Sequence, residues 1–114
     1  MRNTYLWFLQ LVTGVLIAVL LGIHMVRQHL DAALGITDPT AWGAMMERAS
    51  QGAWVFLYIA LLAVGLYHGI NGLRNIILEV TPSVKTERIV TWVIIAFGII
   101  AFIWGTYVPI ALLA

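Results

Sequence analysis

Three long apolar runs, Tyr5 to Met25, Ala53 to Leu73 and Ile89 to Ile110, are separated by short stretches that hold most of the charged residues. Each run reaches the roughly 20 residues that a helix needs to cross a hydrocarbon core. Backbone groups in lipid need internal partners, so the runs predict three transmembrane helices, over about 5–28, 53–78 and 88–111. The first run is too long for a signal-peptide core and no small-residue cleavage pattern follows it, so it is read as a span. Residues 1–114 then form a single all-α transmembrane domain.

The connections carry their own signals. Asp38-Pro39 reads as an N-cap with proline at the first helical position. Trp42, Met45, Met46 and Ala49 then make an apolar stripe opposite Glu47 and Arg48, which predicts a short interfacial helix with Trp42 at headgroup level. Thr81-Pro82-Ser83 ends the second span, because proline disfavours helix at the residue before it. Lys85 to Arg88 follows as a solvated charge cluster, and the third span, with Trp92, Trp104 and Tyr107, reads as scaffold and lipid anchor.

The polar residues inside the spans are not scattered. With His24 at zero, Gln10, Thr13, Arg27 and Gln28 fall at about +40°, −20°, −60° and +40° on a helical wheel, one stripe. Around His68 a second stripe holds Asn71, Asn75 and Glu79, at about −60°, −20° and +20°. Intramembrane ionisable groups face the bundle interior or a cofactor, since lipid cannot satisfy them. His68 also sits among Gly65, Gly69 and Gly72. Each glycine costs a helix about 1 kcal/mol relative to alanine, so the pattern predicts a slot against which something flat and bulky lies. Two occupants fit: a porphyrin ligated by His68, or a neighbouring helix packed closely on small residues with the histidine hydrogen-bonded across the contact. For His24, ligation and a packed, hydrogen-bonded histidine are likewise both open. His29 lies at the outer interface.

Composition narrows the class. With 62% apolar and 10% charged residues the chain lies far outside the range of a soluble domain. A net charge of +1 is no nucleic-acid footprint. Without cysteine the chain holds no iron–sulfur cluster by thiolates, so any such centre sits on a partner. Arg2, Arg74, Lys85 and Arg88 lie on one side, against Arg27 and Arg48 among Asp31, Asp38 and Glu47 on the other. The positive-inside rule therefore predicts the N-terminus inside and the C-terminus outside.

Depth separates the two histidines. His24 lies some 5 Å below the outer end of the first span and His68 about 22 Å below the outer start of the second, a separation of roughly 15 to 20 Å along the membrane normal. They cannot ligate one iron. If both are ligands there are two stacked haems, each needing a second histidine from another chain.

Tyr67-His68-x3-Gly72-Leu73-Arg74-x4-Glu79 resembles the second transmembrane helix of the cytochrome b anchor subunits of succinate dehydrogenase and fumarate reductase. In that family a Tyr-His-x3-Gly-Ile-Arg-x4-Asp pattern carries an axial haem ligand. Gln10-Leu-Val-Thr13-Gly14 followed by His24-Met25 is similar to the first helix of the two-haem members. The serine and arginine that one-haem members use for quinone have no clear counterpart, and Trp7, Gln10 and Thr13 stand at the corresponding end. The resemblance implies a membrane anchor of a succinate:quinone oxidoreductase that passes electrons and makes no bonds on succinate. It implies one or two haem b groups on His68 and His24, with Arg27 and Arg74 as candidates for the propionates, which as carboxylates suit a guanidinium. For both arginines snorkelling to the interface is the competing reading. The resemblance also implies a quinone of the menaquinone type, with Trp7, Gln10, Thr13 and Asn75 as candidate residues. The implied partners are a second anchor chain, an iron–sulfur subunit and a flavoprotein with FAD, in the cytoplasmic membrane of a prokaryote. The competing reading is a cofactor-free three-helix assembly subunit.

Overall fold

The computed structural model describes residues 4–36, 38–81 and 83–113. Arg2 and Pro82, which enter the orientation and helix-end arguments above, lie outside the described residues. Helix α1 spans Thr4–Met25, passes through a π-helical turn at Val26–Leu30 and continues as α2, Asp31–Ala33. Then come α3 (Trp42–Ala49), α4 (Gly52–Val80) and α5 (Val84–Leu113). Three helical segments, Thr4–Ala33, Gly52–Val80 and Val84–Leu112, are long and apolar enough to cross a membrane. The chain is an all-α multi-pass membrane protein of three spans with a short helix between the first two.

The helix ends run past those predicted, and local chemistry explains where they stop. In the π turn the Asp31 amide reaches back five residues to the Val26 carbonyl, so the helix absorbs an extra residue and does not break. It ends at Gly35, in the left-handed region at φ 70°, where Gly35 donates to Ala32 and Ile36 to Asp31. This pair of backbone bonds is the glycine-terminated C-cap that satisfies the last carbonyls. Asp38 does not cap α3. Its carboxylate accepts from the Thr40 amide at 3.2 Å and the Thr40 hydroxyl at 2.8 Å, making a turn, and α3 begins at Trp42 with Ala41 in the cap position. Lys85 to Arg88 belong to the first turn of α5, where Lys85 and Arg88 are exposed.

Helix α4 is the middle of the bundle. It packs against α1 on one side and α5 on the other, and among the described residues α1 and α5 make no Cα approach within 8 Å. The α4–α5 seam closes on two glycines. A Cβ at Gly98 would stand 2.7 Å from Ile70 Cδ1, and one at Gly105 would stand 2.5 Å from Leu62 Cδ2. Small residues here let backbones approach where lipid supplies no hydrophobic drive. Helix α3 packs on one end of the α4–α5 pair, with Ala49 of α3 and Val55 of α4 buried. Large apolar side chains of α1 and α5 stay exposed, Phe8 at 58% and Ile100 at 68% among them, which leaves these faces to lipid or to other chains.

Candidate functional site: two histidine stations on the α1–α4 seam

The polar stripes predicted on α1 and α4 meet each other. Halfway along the seam, Gln10, Thr13 and Gly14 of α1 face Tyr67, His68, Asn71 and Gly72 of α4. Gln10 lies at the centre. Its side-chain Nε2 donates to the His68 carbonyl at 3.0 Å, its Oε1 accepts from Asn71 Nδ2 at 2.8 Å, and its own carbonyl lies 3.2 Å from His68 Nδ1. Thr13 donates its hydroxyl proton to the Leu9 carbonyl at 2.7 Å, which leaves Oγ1 as an acceptor 3.2 Å from the same Nδ1. Tyr67 adds a bond from its hydroxyl to the Leu6 carbonyl at 3.3 Å. Thr13 and Asn71 are buried, at 8% and 6% exposure, while Gln10, Tyr67 and His68 are half-buried and hydrogen-bonded within the seam.

For the neutral ring one tautomer follows. A backbone carbonyl only accepts, so His68 Nδ1 carries the hydrogen and Nε2 holds the lone pair. Among the described residues no hydrogen bond engages Nε2. The glycines distribute differently from the predicted slot. Gln10 Nε2 occupies the space over Gly72, 3.2 Å from where a Cβ would be, and the imidazole lies against Gly14 across the seam, with Cε1 3.4 Å from a Cβ position there. Gly65 and Gly69 do stay open, since a Cβ on either meets nothing within 4 Å.

The second station is at the α3 end. Thr13 and His24 stand eleven residues apart on α1, about 16 Å of helical rise, so the two histidines occupy separate levels. The His24 ring meets Tyr58 of α4 edge to face, with centroids 6.1 Å apart. Its Nδ1 is buried and makes no hydrogen bond. The Tyr58 hydroxyl accepts from Gln28 Nε2 at 3.1 Å and from Arg48 Nε at 3.0 Å, tying the π turn and α3 to α4. Arg48 also donates to the Pro39 carbonyl. Beside His24 opens a cavity of about 550 Å³, lined by His29, Arg48 and Tyr58 on its polar side and Val55, Val108 and Pro109 on its apolar side.

The other predicted residues lie apart from these stations. Arg74 turns toward α5, donating to Thr91 Oγ1 at 2.8 Å and to Glu87 at 3.2 Å, beside a cavity of about 400 Å³ that Leu6 and Trp92 also line. Arg27 pairs with Asp31 at 2.8 Å and lies 5.7 Å over the Trp54 ring. Trp7 and Asn75 are exposed. The sequence reading missed Tyr58, Arg48 and Glu87 as partners. For Tyr58 a signal existed, because a phenol inside an apolar span requires a hydrogen-bond partner.

Comparison with known proteins bears on what this arrangement serves. Residues 2–105 match the family model described as "Succinate dehydrogenase/Fumarate reductase transmembrane subunit". The succinate dehydrogenase hydrophobic membrane anchor subunit of Thermoplasma acidophilum is 28% identical over 100 residues, 87% of this chain and 78% of the relative. The subunit of the same name from Archaeoglobus fulgidus is 28% identical over 101 residues, 89% of this chain and 83% of the relative. No solved structure matches. Three apolar spans, a buried polar seam between the first two and a family match over nearly the whole length make this chain a member of the succinate dehydrogenase/fumarate reductase transmembrane subunit family.

Proposed function

We propose that this membrane anchor holds haem b through Nε2 of His68, with the second axial ligand supplied by another anchor chain. It thereby carries electrons from an iron–sulfur subunit to a quinone of the menaquinone type, in the cytoplasmic membrane of a prokaryote. The observation that carries the reading is the His68 ring: Nδ1–H is donated to the Gln10 carbonyl and the Thr13 hydroxyl, and Nε2 has no hydrogen-bond partner among the described residues. Haem-ligating and metal-ligating histidines have this arrangement, one nitrogen oriented by an acceptor and the other presented. Gly65 and Gly69 support it by leaving α4 bare beside the ring.

Haem b supplies one-electron transfer when bound. The chain's own part is to hold the imidazole in one tautomer, keep water from the buried seam and anchor the soluble subunits, FAD and the clusters being theirs. A second haem on His24 fits the roughly 16 Å between levels and the cavity beside that ring. His24 Nδ1, buried and without a hydrogen bond among the described residues, lacks the orienting acceptor that His68 has. Arg27 and Arg74 remain the propionate candidates, each at present held by a carboxylate of this chain, Asp31 and Glu87. Of the quinone candidates, Trp7 and Asn75 are exposed, whereas Gln10 and Thr13 are engaged with His68 and Asn71. The lysine and arginine count places the N-terminus and this quinone end on the inner side.

A second reading is favoured by the same bonds taken alone: His68 ties α1 to α4 and the chain is a cofactor-free assembly subunit. Pyridine haemochrome per FAD on the purified complex separates the two. The expected result is two haems per flavin, falling to one in His68→Ala and in His24→Ala. One haem, lost only with His68→Ala, confines the chemistry to the first station. A complex without a Soret band establishes the assembly reading.

A further inference from the structure

We propose that Gln10 and Thr13 are positioning residues for His68: they lock its imidazole in the Nδ1–H form and set the electron density at Nε2, and they do not serve as quinone ligands. The inference rests on the haem reading for its redox readout, and its structural half stands independently of it.

The argument begins with proton accounting. Thr13 has one hydroxyl proton and three neighbours within reach, at 2.7 Å (Leu9 carbonyl), 3.1 Å (Gln10 carbonyl) and 3.2 Å (His68 Nδ1). The shortest of these takes it, the usual back-bond of threonine within a helix. Oγ1 then has only lone pairs to offer His68. Two acceptors, the Gln10 carbonyl and the Thr13 hydroxyl, thus converge on one N–H at equal distance. Sharing of that proton pushes electron density into the ring, makes Nε2 a stronger donor and favours the oxidised form of an iron bound there.

The clasp is also fixed against sliding. The Gln10 side chain bonds the backbone of His68 with one end and Asn71 with the other, so the carbonyl that reads the imidazole cannot move along α4 independently. Gly14 completes the fit, with the ring 3.4 Å from its Cβ position. A quinone would have to displace these bonds, leaving the buried Asn71 side chain without its partner.

The test combines nitrogen-15 spectroscopy of histidine-labelled complex, reduced so that the iron is diamagnetic, with a redox titration of the haem α band. In the wild type the His68 resonances are expected to report a protonated Nδ1. In Thr13→Val the tautomer is retained, because the Gln10 carbonyl remains. The proton resonance shifts and the midpoint potential of the His68 haem rises. Thr13→Ser restores the wild-type potential, which a merely structural role would not predict, and neither variant raises KM for quinone severalfold. A protonated Nε2, an unchanged potential in Thr13→Val, or a severalfold rise in that KM overturns the proposal. If the complex holds no haem the reading of function fails, and the tautomer of His68 in the full chain in bilayers still decides the clasp.

Discussion

The two histidines lie on the same seam and are prepared to very different degrees. His68 has an acceptor for one nitrogen, a glycine against its ring and a glutamine strapping its backbone to the opposite helix. His24 has a tyrosine edge at 6.1 Å and a buried Nδ1 without a hydrogen bond. At the first station the fold determines the imidazole completely. At the second it determines the surroundings, through the Tyr58 hydroxyl that ties Gln28 and Arg48 together, and gives the imidazole Nδ1 no hydrogen bond among the described residues. An unsatisfied buried nitrogen costs about 1–3 kcal/mol, so the His24 station is the less satisfied of the two.

This difference makes graded predictions. The largest effect is expected for Gly14→Leu, which fills the space 3.4 Å from His68 Cε1. Displacement of the ring should abolish haem at the first station and destabilise the α1–α4 pair by about 1–3 kcal/mol, read by haem content and by the unfolding midpoint in detergent. Gly22→Leu is the control at the upper half of α1, where a Cβ meets nothing within 4 Å, and should leave both quantities unchanged. Next comes Asn71→Leu, which removes the donor to Gln10 Oε1 at a position where Asn71 itself is buried. A loss of about 1–3 kcal/mol is expected, whereas Tyr58→Phe at the other station, where Gln28 is only partly buried and can reach water, should cost about 1 kcal/mol. If Tyr58→Phe proves the more damaging, the ranking of the stations is wrong.

A smaller effect tests whether the seams are independent. Gly105→Ala places a Cβ 2.5 Å from Leu62 Cδ2 on the far side of α4. The flexible leucine end yields, so the cost should be about 1 kcal/mol, with the His68 α band unmoved. The smallest concerns Asp38, whose carboxyl is held below its usual range by the Thr40 hydroxyl and amide. A depressed folded pKa contributes stability above the unfolded value of about 3.9, and that stability is lost as pH falls through the folded value. The protection factor of the Thr40 amide should therefore fall at low pH, less so in Thr40→Val.

The three spans were legible because hydropathy over some twenty residues needs no knowledge of partners. The separation of the histidines was legible for a similar reason, since it depends only on helical rise. The stripes on α1 and α4 were also right in kind, as Gln10 and Thr13 do meet the face that carries His68 and Asn71. The slot was misplaced because a helical wheel shows a residue's own helix and not the register of the opposing one. Gly72 turned out to receive Gln10, and the ring found Gly14. The ends of α1 and the turn at Asp38 were missed for another reason, because a π turn and a side-chain turn both arise from local hydrogen bonds that compete with the regular pattern.

The division of polar groups between α1 and α4 also bears on biogenesis. Helix α1 emerges from the ribosome first, and every side-chain partner that Gln10, Thr13 and Gln28 have outside α1 lies on α4, which follows some fifty residues later. Until then Gln10 and Gln28 face the insertion machinery or lipid without those partners, while Thr13 keeps its bond to the Leu9 carbonyl within α1. The hairpin therefore enters the bilayer as a unit in its energetics, whatever the order of synthesis. A truncated product ending before α4 is a natural substrate for membrane quality control.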